Sequence, residues 1–424
     1  MKILIVSYFF APYNTIGAVR VTKMVKYLER LGHEVRVISA IDQPLPANLT
    51  VESKEKNVIR TKYFSIAKYF QFLFGGKKSI ETKGYQLPSK GWIQKVASLY
   101  KTIFHFPDGQ IGWYPYALRA GKKLTKRWKP DVIVASGGPF TSFLVAKKLA
   151  KYNSIPWVAD LRDLWVDNAN YNYPTIRKLL ESILEKRTLT TASALITISE
   201  PLANKLRNKF DSKIEVIMNG YDEEDFPKQT KNSSSRTGKL QIVYTGMVYE
   251  GYQDVTPLFE VLAKNKKIAD EVEVHFYGRN LEFINNLRNK FGLQDYIKIF
   301  DPVSHSKVLE IQAQADILLL LLWNDETEKG IYTGKLYEYI GARRPILAVG
   351  NGENVAGDLI RNTNRGFVSN EAGQIFRQLN NWIRDKKKSR IEDLPLLISC
   401  NLTRKEQTYQ LVSLLEKVLS DSYE

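Results

Sequence analysis

Two charged side chains stand three positions apart in the stretch Gly330-Ile-Tyr-Thr-Gly-Lys-Leu-Tyr-Glu338. Glycines precede Lys335, and an apolar run at 317–323 comes before them, so the pattern predicts a strand, a turn and then a helix. A helix N-terminus attracts anions, and a lysine there suits a phosphate group. Glu338, one helical turn further on, can accept hydrogen bonds from the vicinal hydroxyls of a ribose. Together these residues indicate a site for a nucleoside diphosphate.

Each of these two residues also has an ordinary structural interpretation. Lys335 could be a surface lysine, but the helix dipole disfavours a cation at a helix start unless an anion is bound. Glu338 could be a solvated acid, but its neighbours Leu336 and Tyr339 belong to an apolar helix face, where a buried carboxylate without partners is costly. We therefore favour a binding role for both residues.

Loops that follow predicted strands in the first half of the chain carry further candidates. Gly17 precedes a helix, so its amide can face a phosphate or a sugar, although a simple strand-to-helix turn explains one glycine equally well. Arg162 and Asp163 follow a strand at 157–161, at the sheet edge where ligands bind in parallel α/β folds. They either form an ion pair that shapes the loop or, as we prefer for Asp163, face a sugar or an acceptor hydroxyl. Gly138 is expected to line the same edge.

Apolar strand-like runs alternate with amphipathic helical stretches in both halves of the chain, a pattern that predicts parallel sheets. In the first half the predicted strands are 3–7, 35–39, 132–136, 157–161, 194–199 and 213–218, with helices at 18–31 and 141–152. In the second half they are 241–244, 272–277, 297–300, 317–322, 345–349 and 366–369, followed by an amphipathic helix at 404–419. The predicted fold class is α/β, with two doubly wound parallel-sheet domains of the Rossmann-like kind.

The order of these motifs resembles that of GT-B glycosyltransferases, in particular the retaining family 4 type. The resemblance rests on Met1-Lys-Ile-Leu-Ile-Val-Ser7, Gly32-His-Glu-Val35, Leu195-Ile-Thr-Ile-Ser-Glu200, Val216-Ile-Met-Asn-Gly-Tyr-Asp222 and the stretch from Gly330 to Ala348. It implies two domains that face each other across a cleft. It also implies that the second domain binds a nucleotide diphosphate sugar as donor substrate, with no separate cofactor.

The resemblance also implies roles for particular residues. Lys335 and Asp163 are the expected catalytic residues, with Lys335 neutralising the diphosphate as its bond to the sugar breaks. The acceptor side is expected to include Gly138, Arg162 and Asp163. The expected donor-binding residues are Gly17, Gly246, Arg279, Tyr332, Thr333, Gly334, Lys335, Leu336 and Glu338.

The chain departs from the family pattern at two places. The family usually carries a second glutamate upstream of Glu338, and here Gly330 stands at that position; we expect backbone amides near it to replace the carboxylate, since glycine permits close approach to a ligand. The family also tends to place an arginine and a lysine after the first strand of the second domain. Here Gly246 is kept but those cations are missing, and Arg279 is either a helper for phosphate binding or a capping or surface residue.

The predicted domain boundaries follow from composition and from the motifs. Residues 1–222 are assigned to an N-terminal, acceptor-side domain. A stretch at 223–239 that is first acidic and then rich in Lys, Asn and Ser is the predicted linker. Residues 240–400 are assigned to the nucleotide-sugar-binding domain, and 401–424 to a C-terminal helix that the resemblance places back on the first domain.

Positive charge is concentrated in one segment, which we call the basic aromatic insertion (62–129). The chain has a formal net charge of +17, and in this insertion fourteen basic residues stand against two acidic ones. Its many aromatic residues and its charge suit an anionic membrane surface. A solvated basic face over ordinary core aromatics is an equally good interpretation. Nucleic acid is not an expected partner, because no nucleic-acid-binding motif accompanies the charge.

Other features exclude several kinds of site. Cys400 is the only cysteine, which excludes an internal disulfide and a cysteine-built zinc cluster and favours a reducing compartment. No Asp-x-Asp motif occurs and the four histidines lack metal-ligand spacing, so no bound metal is expected. The apolar opening at 2–11 is interpreted as a first strand rather than a secretion signal, and no apolar run is long enough to span a membrane. We expect a cytoplasmic protein at the inner face of the membrane.

The leading hypothesis is a retaining, metal-independent glycosyltransferase. The resemblance implies transfer of a hexosyl or N-acetylhexosaminyl unit from a nucleotide sugar to a polyprenyl-linked glycan, for envelope or capsular polysaccharide. One alternative is a sugar-nucleotide epimerase of the same fold, for which the loops offer only Asp160 and Asp163 as acid/base groups. The other is a basic protein that binds membrane or nucleic acid without catalysis.

Overall fold

The structure, a computed structural model, describes residues 1–64, 106–168, 173–227, 238–324, 329–330, 332–389, 391–397 and 400–421. The chain divides into two compact units, of which the first comprises Met1–Ile217 and Thr408–Glu424 and the second Met218–Gln407. Most of the predicted linker and most of the basic aromatic insertion lie outside the described residues.

The first unit is built on a seven-stranded sheet. Its strands are β1 (Lys2–Val6), β2 (Glu34–Ala40), β3 (Val58–Thr61), β4 (Val132–Ser136), β5 (Trp157–Leu161), β6 (Ala194–Thr197) and β7 (Ile214–Val216), in the order β3-β2-β1-β4-β5-β6-β7. The helices of its described part are α1 (Ile16–Arg30), α2 (Tyr114–Thr125), α3 (Thr141–Asn153), α4 (Thr175–Leu189) and α5 (Glu200–Arg207).

Continuous apolar runs explain this sheet, because parallel strands that are covered on both faces need them. Every residue of β4, Val-Ile-Val-Ala-Ser, is buried. Strand β1 pairs in parallel with β2 and β4, so that Ile5 lies opposite Val37 on one side and Val134 on the other. Trp113, which belongs to the basic aromatic insertion, is fully buried in the core on one face of the sheet. For this aromatic residue the core interpretation is therefore correct.

The second unit repeats the plan with six strands. They are β8 (Leu240–Thr245), β9 (Val272–Tyr277), β10 (Ile297–Phe300), β11 (Ile317–Leu321), β12 (Ile346–Val349) and β13 (Gly366–Ser369), in the order β10-β9-β8-β11-β12-β13. Its helices are α6 (Thr256–Lys264), α7 (Lys266–Ala269), α8 (Glu282–Lys290), α9 (His305–Gln314), α10 (Gly334–Gly341), α11 (Val355–Asn362) and α12 (Ala372–Lys388). All strand pairs within both sheets are parallel. The predicted fold class, two parallel-sheet α/β domains, is confirmed.

The last helix, α13 (Arg404–Ser420), adds apolar side chains to the first unit. Leu411, Leu414, Leu415 and Val418 are buried in the same cluster as Ile3 of β1. The core of the first unit is thus built from both ends of the chain. Among the described helices, none combines the length and the apolar character that a membrane span requires.

A buried ion pair fixes the carboxyl end of β5. Arg20 of α1 donates from Nε to Oδ2 of Asp160 (3.1 Å) and from one terminal nitrogen to Oδ1 (2.8 Å). Ser136 Oγ donates to the same carboxylate (3.0 Å), and Arg20 also donates to the Ile217 carbonyl (3.1 Å). Burial alone would raise the pKa of Asp160, but the Arg20 guanidinium holds it below its usual range. Asp160 therefore ties α1, β4 and β5 together.

Removing one partner of this pair should destabilise the first unit strongly. Asp160→Asn leaves the Arg20 guanidinium buried without its counter-charge, and we expect a loss of about 3–5 kcal/mol in the free energy of unfolding. Urea unfolding followed by circular dichroism measures it. Because the folded pKa of Asp160 is depressed, its contribution is present above the unfolded pKa of about 4 and is lost as pH falls below that value. The wild-type and variant stabilities should therefore converge in acid; a constant gap would contradict the ion-pair explanation.

Candidate functional site

The amine of Lys335 lies in a largely enclosed place at the start of α10. Its Nζ atom donates hydrogen bonds to the Tyr244 hydroxyl (3.0 Å) and the Met247 carbonyl (3.3 Å), and it lies 4.9 Å from the centre of the Tyr244 ring. Within the described ranges, no carboxylate reaches ion-pair distance of this amine. Neutral oxygens and a ring face therefore hold a cation whose charge is not neutralised.

The enclosure changes the proton affinity of Lys335. Burial lowers its pKa to about 8, because the charged form loses contact with water, and the Glu338 carboxylate opposes this shift only in part. The amine stays mostly protonated at neutral pH, but in an environment that disfavours its charge. An anion bound beside Nζ would remove that disadvantage. Strongly shifted groups of this kind are frequent in functional sites.

Gly246 provides the space that the Lys335 side chain occupies. A Cβ atom at position 246 would lie 2.5 Å from Cε of Lys335, and the φ of Gly246 is +110°, a backbone conformation that favours glycine. Gly278 is packed against Gly246 in turn, since a Cβ there would lie 2.1 Å from the Gly246 carbonyl oxygen. Two glycines at the ends of β8 and β9 therefore allow the lysine to enter.

Glu338 is held by two side chains of α9 that sequence analysis did not identify. The Gln312 amide donates to Oε2 of Glu338 (3.0 Å), and Nε2 of His305 lies 3.1 Å from Oε1. Gln312 also donates to Oγ1 of Thr245 (2.9 Å), at the end of β8. His305 and Gln312 are seven positions apart and so lie on one face of α9. That spacing was visible in the sequence, but nothing in it indicated which carboxylate the two residues would meet.

The Glu338 carboxylate is oriented and still accessible. About a third of its side chain is exposed, while its two oxygens are contacted by one amide and one imidazole. A side chain that is already fixed loses little conformational freedom when it binds a ligand. The arrangement thus suits an acceptor for ligand hydroxyl groups.

Other predicted donor-binding residues surround the start of α10. The ring of Tyr332 lies 5.8 Å from that of Tyr337, and burial raises the pKa of Tyr332. Thr333 is the N-cap residue, and in the described part of the chain its buried hydroxyl has no hydrogen-bond partner. Gly334 is the first residue of the helix. Leu336 lies fully buried in the core, and its amide donates to the Thr333 carbonyl (3.2 Å); its predicted part in donor binding stays a prediction.

Arg279 stands apart from this group. It follows β9, is exposed to solvent, and makes no hydrogen bond or ion pair with the residues that the structure describes. The N-cap position of α8 belongs to Leu281, so Arg279 does not cap that helix. Its predicted help in phosphate binding stays a prediction.

In the first unit, Arg162 joins two of the predicted glycines. One of its terminal nitrogens donates to the carbonyl oxygens of Gly137 (2.5 Å) and Gly138 (2.8 Å). A Cβ atom at Gly17 would lie 2.3 Å from the guanidinium group, and Gly138 has a φ of +67°. Burial lowers the pKa of Arg162, although Asp160 opposes the shift. The structure therefore brings Gly17, Gly138 and Arg162 together.

Asp163 does not form the ion pair with Arg162 that sequence analysis considered. Arg162 is engaged by backbone carbonyls, whereas Asp163 is exposed and has no hydrogen-bond or ion-pair partner in the described segments. An exposed carboxylate is free to meet a substrate hydroxyl. Its catalytic role stays a prediction.

Asp108 is a carboxylate that sequence analysis counted only as a charge. It accepts hydrogen bonds from the amide (2.8 Å) and the hydroxyl (2.7 Å) of Thr141 and from the Gln110 amide (3.0 Å). Burial raises its pKa, and the Thr141 hydrogen bonds oppose the rise. Asp108 thus satisfies the first amide of α3, directly after the Gly138 loop.

Comparison with known proteins bears on the family and the fold. Residues 88–225 match the family model Glycosyltransferase Family 4. The whole chain is similar to sucrose-phosphate synthase from Thermosynechococcus elongatus, with a TM-score of 0.62 and 12% identity over 99% of this chain and 100% of that one. The resemblance to family 4 GT-B glycosyltransferases is confirmed. Among curated proteins, none matches the sequence.

Two further structures share the GT-B fold of this chain. Anabaena Alr3699/HepE in complex with UDP and glucose has a TM-score of 0.61 and 12% identity, over 98% of this chain and 100% of that one. UDP-GlcNAc 2-epimerase from Methanocaldococcus jannaschii has a TM-score of 0.51 and 14% identity, over 98% and 100%. At these identities the likeness concerns the fold. The expectation of a site without a metal stays a prediction.

Removing the Lys335 charge should stabilise the protein in the absence of ligand. The unfolded pKa of lysine is about 10.4, so between pH 8 and pH 10 the unfolded state binds more protons and stability should rise with pH. Lys335→Met is expected to add about 1–3 kcal/mol to the free energy of unfolding at pH 7, with allowance for solvent screening. It should also flatten that pH dependence. Urea unfolding across this pH range measures both effects.

Lys329→Met is the matched control, because Lys329 is an exposed lysine that directly precedes the motif beginning at Gly330. It should change neither the stability nor its slope with pH. A loss of stability in Lys335→Met would show that the hydrogen bonds of Lys335 outweigh the cost of burying its charge.

Proposed function

We propose that this chain is a retaining, metal-independent glycosyltransferase that uses a nucleotide diphosphate sugar as donor. One observation carries the proposal: a half-buried amine, with no carboxylate partner within the described residues, lies at the start of α10 one turn before an oriented carboxylate. The fold and the family match are those of glycosyltransferases. The donor, the acceptor and the stereochemistry are parts of the proposal.

The diphosphate of the donor would bind at the N-terminus of α10. Lys335 supplies a full positive charge there, and the helix dipole adds a partial one. The unpaired Thr333 hydroxyl can donate to the same phosphate or to the sugar, in place of the carboxylate that the family usually carries at the position of Gly330. The uncompensated charge of Lys335 would then be neutralised only when the donor is bound.

The ribose of the donor would bind Glu338. Gln312 and His305 hold the carboxylate in one orientation, which leaves lone pairs on both oxygens for the two vicinal hydroxyls. Anabaena Alr3699/HepE was solved in complex with UDP and glucose, and uridine nucleotides are therefore the first donors to test.

Charge stabilisation and positioning would carry most of the catalysis. As the bond between the sugar and the diphosphate breaks, negative charge grows on the leaving oxygen, and Lys335 is placed to stabilise it. In the proposed retaining reaction the acceptor hydroxyl attacks from the same face, and the leaving phosphate accepts its proton. Asp163 would orient the acceptor hydroxyl, with Arg162 and Gly138 shaping that side.

The proposed acceptor is a polyprenyl-linked glycan at the inner face of a membrane, for envelope or capsular polysaccharide. It is supported by the resemblance and by the positive charge of the chain, +17 in formal terms. Anionic lipid attracts basic proteins, which would raise the local concentration of enzyme near such an acceptor.

A sugar-nucleotide epimerase is the second candidate function. The epimerase from Methanocaldococcus jannaschii shares the fold, and His305 lies beside Glu338 as a possible proton carrier. Asp160, by contrast, is fully buried in its pair with Arg20 and is unavailable as an acid or base. An epimerase would convert one nucleotide sugar into another without any acceptor, which chromatography of the nucleotide products would detect.

Nucleoside diphosphates should stabilise the folded chain without a metal. In a thermal-shift screen of UDP, GDP, ADP and their sugar conjugates, one base should raise the melting temperature, because a ligand that binds only the folded state adds about 2.7 kcal/mol at a hundredfold excess over Kd. A chelator should leave the shift unchanged. Lys335→Met should abolish it, whereas Lys329→Met should not. No shift with any nucleotide would contradict the proposal.

Truncating the ribose-binding carboxylate should weaken donor binding. Glu338→Ala removes charged hydrogen bonds, and we expect a loss of about 1–3 kcal/mol in the binding free energy of the active nucleotide, measured by calorimetry. Glu310→Ala is the control, since Glu310 lies on α9 between His305 and Gln312, but 44% of its side chain is exposed and it pairs with Lys307 instead of contacting Glu338. Equal affinities of wild type and Glu338→Ala would remove Glu338 from the donor site.

A further inference from the structure

Helix α4 turns its apolar side to solvent. Its most exposed large residues are Ile176 (76%), Leu179 (63%), Leu180 (52%) and Ile183 (43%). Their spacing of three and four positions puts them on a single side of the helix, which we call the apolar face of α4. In a helix that packs on a protein core, such a face normally points inward.

Charged residues occupy the side of α4 that is buried instead. Arg177 and Glu181 are 2% and 1% exposed and form an ion pair of 2.6 Å. Arg177 also donates to the Pro107 carbonyl (3.3 Å), and Glu185, equally buried, pairs with Lys209. Because these partners lie on other segments of the first unit, they prevent the helix from turning its apolar face inward.

The charges that α4 presents to solvent all have one sign. Lys178, Lys186 and Arg187 are exposed, whereas both acids of the helix, Glu181 and Glu185, are buried in ion pairs. Every residue of α4 is described, so this count is complete for the helix. The solvent side of α4 therefore combines a row of aliphatic side chains with three cations.

This combination selects among possible partners. A second copy of the chain would bring cations against cations, which disfavours association. An anionic lipid surface offers hydrocarbon for the aliphatic side chains and negative headgroups for the lysines and the arginine. A helix with one apolar side and a cationic polar flank is the usual form of a helix that lies in the plane of a membrane interface.

We propose that α4 docks the first unit onto an anionic lipid bilayer, with Ile176, Leu179, Leu180 and Ile183 inserted below the headgroups. Helix α4 lies outside the basic aromatic insertion (62–129) in sequence, although Pro107 of that insertion accepts a hydrogen bond from Arg177. Only the biological role of this docking, which is to bring a lipid-linked acceptor within reach, rests on the proposed function. The binding itself needs no donor and no catalysis.

Vesicle flotation of the full chain tests the proposal. The protein should float with vesicles of phosphatidylcholine containing about one third phosphatidylglycerol, and weakly or not at all with pure phosphatidylcholine. Leu179→Gln/Leu180→Gln should reduce the partition coefficient at least about tenfold, because two leucine side chains no longer enter the hydrocarbon. Lys186→Glu/Arg187→Glu should reduce binding to the anionic vesicles and remove most of its dependence on salt.

Leu396→Gln is the matched control, since Leu396 is a leucine of nearly equal exposure (53%) in the second unit. It should bind vesicles like wild type. All variants should keep the wild-type melting temperature and, if the proposed function is right, the nucleotide-induced thermal shift. If nucleotides shift the melting temperature of neither wild type nor any variant, while wild type still binds vesicles, the proposed function is contradicted and the docking proposal is not.

Three results would overturn the docking proposal. One is undiminished vesicle binding by the leucine double variant, which would locate membrane contact elsewhere. Another is a fall of several degrees in its melting temperature, which would mean that the protein itself covers the apolar face. The third is a concentration-dependent dimer in wild type that the double variant loses, which would make the face an interface between copies.

Discussion

A desolvated positive charge is the constraint around which the second unit is arranged. Lys335 reaches an enclosed place only because β8 ends in Gly246, whose missing side chain leaves the path of the lysine open. Gly278, at the end of the neighbouring strand, must then be equally small. The Tyr244 hydroxyl and ring and the Met247 carbonyl replace part of the hydration of the Lys335 amine, but they carry no negative charge that would neutralise it. Among the described residues, the charge of Lys335 therefore has no counter-ion, which is the basis of the proposal that an anion binds there.

Glu338, on the next turn of the helix, is also held by polar groups rather than by an opposite charge of lysine or arginine. Its partners are an amide and an imidazole of α9, and they orient both carboxylate oxygens. The two opposite charges of α10 are thereby kept from pairing with one another at short range. Each remains available to a different part of a ligand that carries both phosphate and hydroxyl groups.

Local signals explain which features were predictable. The strands could be assigned because runs such as Val132 to Ser136 are apolar throughout, and Lys335 and Glu338 because they share one short helix. Tyr244, His305 and Gln312 come from elements that only the folded sheet brings together. For the loop after β5, the sequence showed two adjacent charges but not that backbone carbonyls would compete for Arg162. Hydrophobic periodicity does not predict which side of α4 faces the core, because buried ion pairs of Glu181 and Glu185 determine the orientation of this helix.

The position of α13 has a consequence for how the chain is made. Four apolar side chains near the end of the sequence complete a core that begins at Ile3. During synthesis from the N-terminus, the apolar surface that α13 covers in the first unit therefore stays exposed until residues 218–407 have been made. A nascent chain in this condition exposes apolar side chains such as Ile3 of β1 and Val21 of α1 for longer than a protein with sequential domains would, and it depends on α13 to cover them.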